Sequence, residues 1–397
     1  MDKRIYLDHA ATTPPDPRVL DVMLPYLRDH WGNPSSLYLE AQQARKALEG
    51  ARRTVAGILG CRPQEVIFTS GGSESDNLAL RGAAYAARRR GTDHVITTAI
   101  EHHAVLHAAE RLEQEGFRVT YLGVDGEGFI DLGGLEAAVT GDTALVSVMY
   151  VNNEVGTIQP IAEAARIVKA KNPHAMFHTD AVQAAGILDL DVGRLGVDLL
   201  SLAAHKFYGP KGVGALYVRS RTPFLPQQLG GAQEKGRRAG TENVAGAVGM
   251  AKALELAYEE FDTRTAHYRG LRDRLFQEVP ARVPLTHITG PSDLRRRAAN
   301  NFSCCFELVE GEAVLIALDL AGIAASSGSA CTSGSLEPSH VLTAMGVPEP
   351  LARGSLRLTV GRDNTTDEIA RLLRVLPEVV ERLRSLSPAW RSKGATG

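Results

Sequence analysis

Glu65-Val66-Ile67-Phe68-Thr69-Ser70-Gly71-Gly72-Ser73-Glu74-Ser75-Asp76-Asn77 carries the reading of the fold. Its first five residues, rich in β-branched and aromatic types, read as a strand. Two glycines then punctuate the chain, and a helical pattern opens at residue 73 and runs to about 90. Apolar runs of the strand kind recur at 94–98, 119–122, 144–150, 175–179, 197–202 and 213–218, with helical segments at 102–115 and 160–171 among them. This alternation predicts an α/β domain around a mainly parallel seven-stranded sheet flanked by helices. The last two runs are joined by Gly209-Pro210-Lys211-Gly212, too short for a crossover helix, so that pair is expected to be antiparallel.

An amphipathic stretch from about 243 to 279 leads away and ends near Pro280. Weaker strands at 300–307 and 355–359, with helices at 310–320 and 367–385, predict a smaller α+β domain. The expected division is a large domain of residues 15–260 and a small domain of 1–14 plus 261–397. A chain of 397 residues with 44% hydrophobic content can bury a large core. Its net charge of −2 gives no electrostatic case for nucleic acid or an anionic membrane. Arg88-Arg89-Arg90 closes a helical pattern, where it favours the helix C-terminus. No apolar stretch approaches the roughly 20 residues of a membrane span, and Met1-Asp2-Lys3-Arg4-Ile5-Tyr6 has no secretion-type apolar region. Cys61, Cys304, Cys305 and Cys331 form no CxxC pair, so free thiols and a cytoplasmic location are expected. Among twelve histidines there is no HExxH, and adjacent His102 and His103 point about 100° apart on a helix; no metal site is expected. No lysine precedes Ser or Thr, which excludes a Walker A loop.

Ligands of open α/β sheets gather at the carboxyl ends of the strands. Here those ends carry Gly72 and Ser73, Glu101-His102-His103, Asn152-Asn153-Glu154, Asp180 with Gln183, and His205-Lys206. Ser73 near a helix N-terminus reads either as a phosphate contact or as an N-cap in a glycine turn. An aldehyde cofactor explains the set. Lys206 can form a Schiff base, Asp180 can keep a pyridine nitrogen protonated, and His102 can cover the ring and shuttle protons at a pKa near neutrality. Far along the chain, Ser326-Ser327-Gly328-Ser329-Ala330-Cys331-Thr332-Ser333 reads as a polar loop with one available thiol. A pyridoxal phosphate enzyme is the reading these residues support.

Longer motifs sharpen it. Tyr6-Leu7-Asp8-His9-Ala10-Ala11-Thr12-Thr13-Pro14, Gly32-Asn33-Pro34-Ser35-Ser36, the 69–77 turn, Val151-Asn152-Asn153-Glu154, His205-Lys206 with Tyr208-Gly209-Pro210-Lys211-Gly212, Ala239-Gly240-Thr241, and 326–333 with Leu336-Glu337-Pro338-Ser339 span the chain. In these the sequence resembles the cysteine desulfurases of the NifS/IscS type, class-V aminotransferases among the fold-type I pyridoxal phosphate enzymes. The resemblance implies conversion of L-cysteine to L-alanine, with pyridoxal 5'-phosphate on Lys206 and a persulfide on Cys331. Lys206 and His102 would transfer protons. Gly72, Ser73 and His205 would bind the phosphate, joined by Thr241 from the other subunit of a homodimer. Asn153 and Gln183 would contact cofactor and substrate, and Arg357 would clamp the substrate carboxylate with help from Asn33. Sulfur would pass to an acceptor protein, an iron–sulfur scaffold or a tRNA-thiolation enzyme. Cys61, Cys304 and Cys305 match no functional position.

Two departures stand out. The family usually has a phosphate-binding serine where this chain has Ala203, a loss of about 1–2 kcal/mol if nothing replaces it. The chain also stops soon after Leu386-Ser387-Pro388-Ala389-Trp390, where relatives carry a longer scaffold-docking tail, so weaker scaffold docking or another surface is expected. The rival readings are a selenocysteine lyase, an aminotransferase of the same fold that does not desulfurate, and a silent partner of a sulfur-transfer complex.

Overall fold

The computed structural model describes residues 4–327 and 338–386. Cys331 and most of its loop, and the tail from Ser387, lie outside the described residues. In chain order the strands are β1 Ile5–Tyr6, β2 Val66–Thr69, β3 His94–Thr98, β4 Arg118–Leu122, β5 Thr143–Ser147, β6 Met176–Asp180, β7 Leu199–Ala203, β8 Gly214–Val218, β9 Thr286–Ile288, β10 Asn301–Phe306, β11 Ile323–Ala324 and β12 Ser355–Thr359. Seven of them form one sheet in the order β2-β8-β7-β6-β5-β3-β4. Only β8 runs against the others, antiparallel to both β7 and β2, as the short 209–212 connection requires. Every residue of β2, β3, β5, β6, β7 and β8 is buried, the pattern of strands covered on both faces.

Four helices matter most for the site's surroundings: α1 Pro17–Arg28, α2 Leu39–Leu59, α3 Gly72–Arg88 and α4 His103–Gln114. α3 lies across β5 to β8 with Ala79, Leu80, Ala83 and Ala84 buried on its inner face. A Cβ on Gly72 would come within 2.9 Å of a Val182 methyl, so a larger residue at the helix start would have to push Val182 aside.

The stretch read from about 243 to 279 is two helices, Val244–Glu259 and Phe261–Arg282. The break falls at Glu260, whose backbone leaves helical geometry (φ −101°, ψ 14°), and Pro280 lies within the second helix instead of ending it. Beyond it, β12-β10-β9 form an antiparallel sheet, and β1 pairs in parallel with β11. Phe302, Phe306, Leu356 and Leu358 of the small sheet belong to the same apolar core as Phe177, Leu200 and Leu202 of the large one. Among the described residues no helix is long and apolar enough to cross a membrane.

Candidate active site

Lys206 ends the short turn Ala204–Lys206 that follows β7. Its Nζ donates to the carbonyls of Ala10 and Ala11 at 2.5 and 2.8 Å. The Gln183 side-chain amide donates to the same Ala10 carbonyl at 2.9 Å. The N-terminal segment is laced onto this turn: Thr13 N–H reaches the His205 carbonyl at 2.8 Å, and Tyr208 N–H reaches the Thr13 hydroxyl at 2.7 Å. The His205 ring lies 3.1 Å from the Thr12 hydroxyl. Lys206, Gln183 and His205 are thus brought together by a segment almost 200 residues upstream.

Asp180 closes β6, and its Oδ1 accepts the Val182 N–H at 2.9 Å. Burial pushes its pKa up, while the Val182 amide and the Lys206 charge pull it back. Asp76 of α3 is buried beside it and is raised well above the usual range, first by burial and then by the Asp180 charge. Two neighbouring buried carboxylates cannot both ionise cheaply. Asp180 has an amide and a cation to stabilise its charge; Asp76 has Ser201, and its Oδ1 has no hydrogen-bond partner among the described residues, only the neutral His178 ring at 3.7 Å. Asp180 is therefore the one that holds the negative charge. His178, two residues earlier on the same face of β6, bridges the hydroxyls of Ser147 and Ser201 at 2.8 and 3.0 Å. Burial lowers its pKa to about 3, so it is neutral.

His102 caps α4, its Nδ1 accepting the Ala104 N–H at 3.1 Å. An acceptor at Nδ1 leaves the proton of the neutral ring at Nε2. The expectation of a near-neutral pKa is corrected: burial first, then the Lys206 charge, lowers it to about 4. His102 is a neutral ring with an Nε2 proton. Glu101 beside it accepts from the Thr98 hydroxyl and the Met149 amide, both at 2.8 Å, and burial pushes it up to about 8.

A cavity of about 590 Å³ is lined by Ser73, Asn77, His102, His103 and His107. At its edge the N-cap residue Gly71 supplies no side-chain cap to α3, which leaves first-turn amides free to meet an anion. Ala203 lies against this turn, its Cβ 3.5 Å from where a Gly72 Cβ would stand. A serine there would point at the α3 N-terminus; alanine supplies no donor. The buried Asp180 charge, the Lys206 amine and the uncapped helix fit a phosphate-bearing aromatic aldehyde.

On the far side, Arg357 rises from β12. Its Nη1 donates to the Asn153 carbonyl and its Nη2 to Asp8 Oδ1, each at 2.8 Å. Asn153 thus meets Arg357 through its backbone, while neighbouring Asn152 caps a turn by accepting the amides of Glu154 and Val155. Asn33 accepts the Ser35 amide in a local turn and is not hydrogen-bonded to Arg357. Thr241 is exposed and does not join the Lys206 cluster within this chain. Burial pushes the thiols of Cys61 and Cys305 up to about 12 and that of Cys304 well above its usual range, so these three are not thiolates. Among the described residues no group of three His, Cys, Asp or Glu side chains could hold a metal ion.

Sequence reading missed Asp76 and Asp8 as working residues. Asp76 had a signal: with Ala79, Leu80, Ala83 and Ala84 it falls on the helical spacing of an otherwise apolar, buried stripe. Asp8 had none beyond its place in a motif, because its partner is 349 residues away.

Residues 5–372 match the aminotransferase class-V family. The chain is 50% identical over 390 residues to "Cysteine desulfurase IscS" of Clostridium botulinum (strain Hall), covering 98% of each. It is 50% identical over 387 residues to the protein of the same name from Methanosarcina thermophila, covering 98% of this chain and 94% of that one. A solved "NifS-like protein" superposes with a TM-score of 0.90 at 40% identity, covering 96% of this chain and all of the other. "SspA in complex with cysteine" superposes at 0.79 and 36% identity, covering 91% and 100%. The chain belongs to the class-V aminotransferase family.

Proposed function

We propose that the protein is a cysteine desulfurase that uses pyridoxal phosphate to convert L-cysteine to L-alanine and places the released sulfur on Cys331. The observation that carries this is the gathering of Lys206, Gln183 and His205 on the 10–13 segment, beside an ionised Asp180 and a neutral His102. Similarity to curated cysteine desulfurases over nearly the whole chain supports it, as does the structural neighbour whose title names a complex with cysteine. Of the four cysteines, the three described are held as thiols by burial, which leaves Cys331 for the sulfur.

When bound, the cofactor supplies the electron sink for a carbanion at the substrate α-carbon. The chain's own residues do the rest. Lys206 holds the aldehyde end and moves a proton at the α-carbon. Asp180 would hold its negative charge for the ring nitrogen, with Asp76 protonated beside it. His102 would offer its Nε2 proton and Gln183 its second amide hydrogen to the bound group. The α3 amides, Ser73 and His205 would hold the phosphate, completed by Thr241 from a second subunit. Arg357 receives the substrate carboxylate, and Asn33 and Asn153 close that end. In balance, the C–S bond of cysteine breaks and its carbon takes a proton. An S–S bond forms to Cys331, whose thiol proton is released or carried over: cysteine plus enzyme thiol gives alanine plus enzyme persulfide. An acceptor protein then takes the sulfur for iron–sulfur cluster assembly or tRNA thiolation, in the cytoplasm.

A homodimer fits the surface. Leu20, Leu24 and Leu27 of α1, with Trp31 and Leu37, are exposed, Leu37 at 85%, a patch a second copy would cover. On this reading residues 15–260 form the large domain, and 1–14 plus 261–397 the small one.

The test is alanine and sulfide release from L-cysteine with a thiol reductant. Equimolar products from the native enzyme, lost in both Lys206→Ala and Cys331→Ala, are expected. Turnover that survives Cys331→Ala would overturn the persulfide route in favour of an aminotransferase, and a preference for L-selenocysteine would favour a lyase.

A further inference from the structure

A guanidinium has five N–H donors in a fixed fork. In Arg357 one Nη1 hydrogen goes to the Asn153 carbonyl and one Nη2 hydrogen to Asp8 Oδ1. That leaves three of the five, and one of them, Nε–H, is buried with no partner among the described residues. The side chain is only 5% exposed and that of Asp8 19%, so this ion pair is sheltered from water. An arginine held this way is committed at two corners and unpaired along the edge that carries Nε.

The backbone on both sides of the pair is fixed. Arg357 exchanges two main-chain hydrogen bonds with Ser326, at 2.7 and 3.2 Å. Asp8 sits just beyond β1, and Thr359 N–H donates to the adjoining Leu7 carbonyl at 2.8 Å. The Tyr6 hydroxyl holds the Asp8 carbonyl at 2.9 Å, and the same hydroxyl holds that of Thr12. The Asp8 carboxylate is therefore delivered to one place by a segment that also runs on to Ala10 and Ala11 beneath Lys206. A buried cation without a partner is costly, and one with a single well-placed acceptor keeps one geometry.

We propose that Asp8 is a positioning residue for substrate recognition: its Oδ1 fixes the Arg357 guanidinium so that the unpaired Nε edge is turned to the α-carboxylate of the amino acid. Asp8 does not touch the substrate. The work is done by the acceptor atom, so an amide of the same shape can replace it. This rests on the reading of Arg357 as the carboxylate site, and the experiment separates the two.

Holoenzyme is titrated with L-alanine and with ethylamine, the same amine with and without the carboxylate, following the cofactor absorbance. KM and kcat for L-cysteine are measured alongside. Asp8→Ala should weaken L-alanine by about tenfold and raise KM by a similar factor, the loss of one charge-assisted hydrogen bond, with kcat within about twofold and ethylamine unchanged. Asp8→Asn should restore L-alanine to within about threefold. Should Asp8→Ala not fold, Asp8→Glu keeps the charge but displaces the acceptor by one methylene, and should also weaken L-alanine alone. Equal losses for both amines, no loss in either, or failure of Asp8→Asn to rescue would overturn the proposal. If Arg357→Ala left L-alanine binding untouched, the carboxylate site itself would be wrong, whatever the Asp8 variants did.

Discussion

The two walls of the site handle buried charge in opposite ways. At the carboxyl ends of the central strands, Asp76, Asp180, Glu101 and Glu154 are buried, and burial pushes all four towards the protonated form. Their partners are mainly hydroxyls and amides, as where Ser339 donates to Glu154, so little offsets the lost hydration. On the wall built from β12 and the N-terminal segment, carboxylates meet arginines. Asp8 pairs with Arg357, and Asp16, between Arg18 and Arg362, is held well below the usual carboxylate range. Burial alone does not set the charge of a carboxylate: Asp16, hydrogen-bonded to Arg18 and Arg362, is held down, while Glu154, which only feels the Arg357 charge, is pushed up to about 7. The strand-end wall is one of raised carboxylates, with Asp180 the one eased back by an amide and a lysine, while the β12 wall is one of arginines paired with carboxylates.

Substitutions on the two walls should therefore fail differently. On the proposed reading Asp180→Asn removes the charge that would stand against the ring nitrogen, and kcat for L-cysteine should fall by about 10²–10³-fold with KM little changed. Arg357→Ala should act on the other parameter, raising KM by about 10²-fold for two lost charge-assisted hydrogen bonds. Steady-state kinetics on both variants checks the split, and parallel losses in kcat would erase the contrast.

A stability measurement sharpens it further. The Glu101 pKa is raised from an ordinary value near 4.5 to about 8. Between those values the folded state binds a proton that the unfolded state lacks, so its contribution to stability falls as pH rises and levels off above about 8. Glu101→Gln cannot titrate. Relative to wild type it should gain up to about 1.4 kcal/mol per pH unit across that window, read from urea unfolding at pH 5 and pH 8. A pH-independent difference would show that Glu101 is already ionised. The smallest effect is expected at Ala203. Ala203→Ser returns a hydroxyl to the α3 N-terminus and should tighten cofactor binding by about tenfold, the net worth of one hydrogen bond to a charged group, measured by dialysis and re-titration.

Much of this was legible in the sequence because it is local. Strand ends follow from where apolar runs stop, so the places of Asp180, His205 and Lys206 relative to β6 and β7 could be read directly. The antiparallel turn of β8 followed from a four-residue connection. What could not be read depends on distant partners. The His102 pKa is set by burial and by Lys206, more than 100 residues away. Asp76 becomes a proton holder only because α3 lays it against β6, and the Arg357 fork is shaped by Asp8 across 349 residues. The break at Glu260 sits in a stretch where neither Gly nor Pro marks it, Glu259-Glu260-Phe261 reading as continuous helix former.

The central claim is that the substrate's sulfur leaves onto Cys331, and it is tested most directly by mass spectrometry of the protein after a single turnover with L-cysteine, without reductant. The account predicts one added sulfur on the peptide holding Cys331, none on those holding Cys61, Cys304 or Cys305, and one alanine released per sulfur gained. Alanine formed while Cys331 stays unmodified would contradict it.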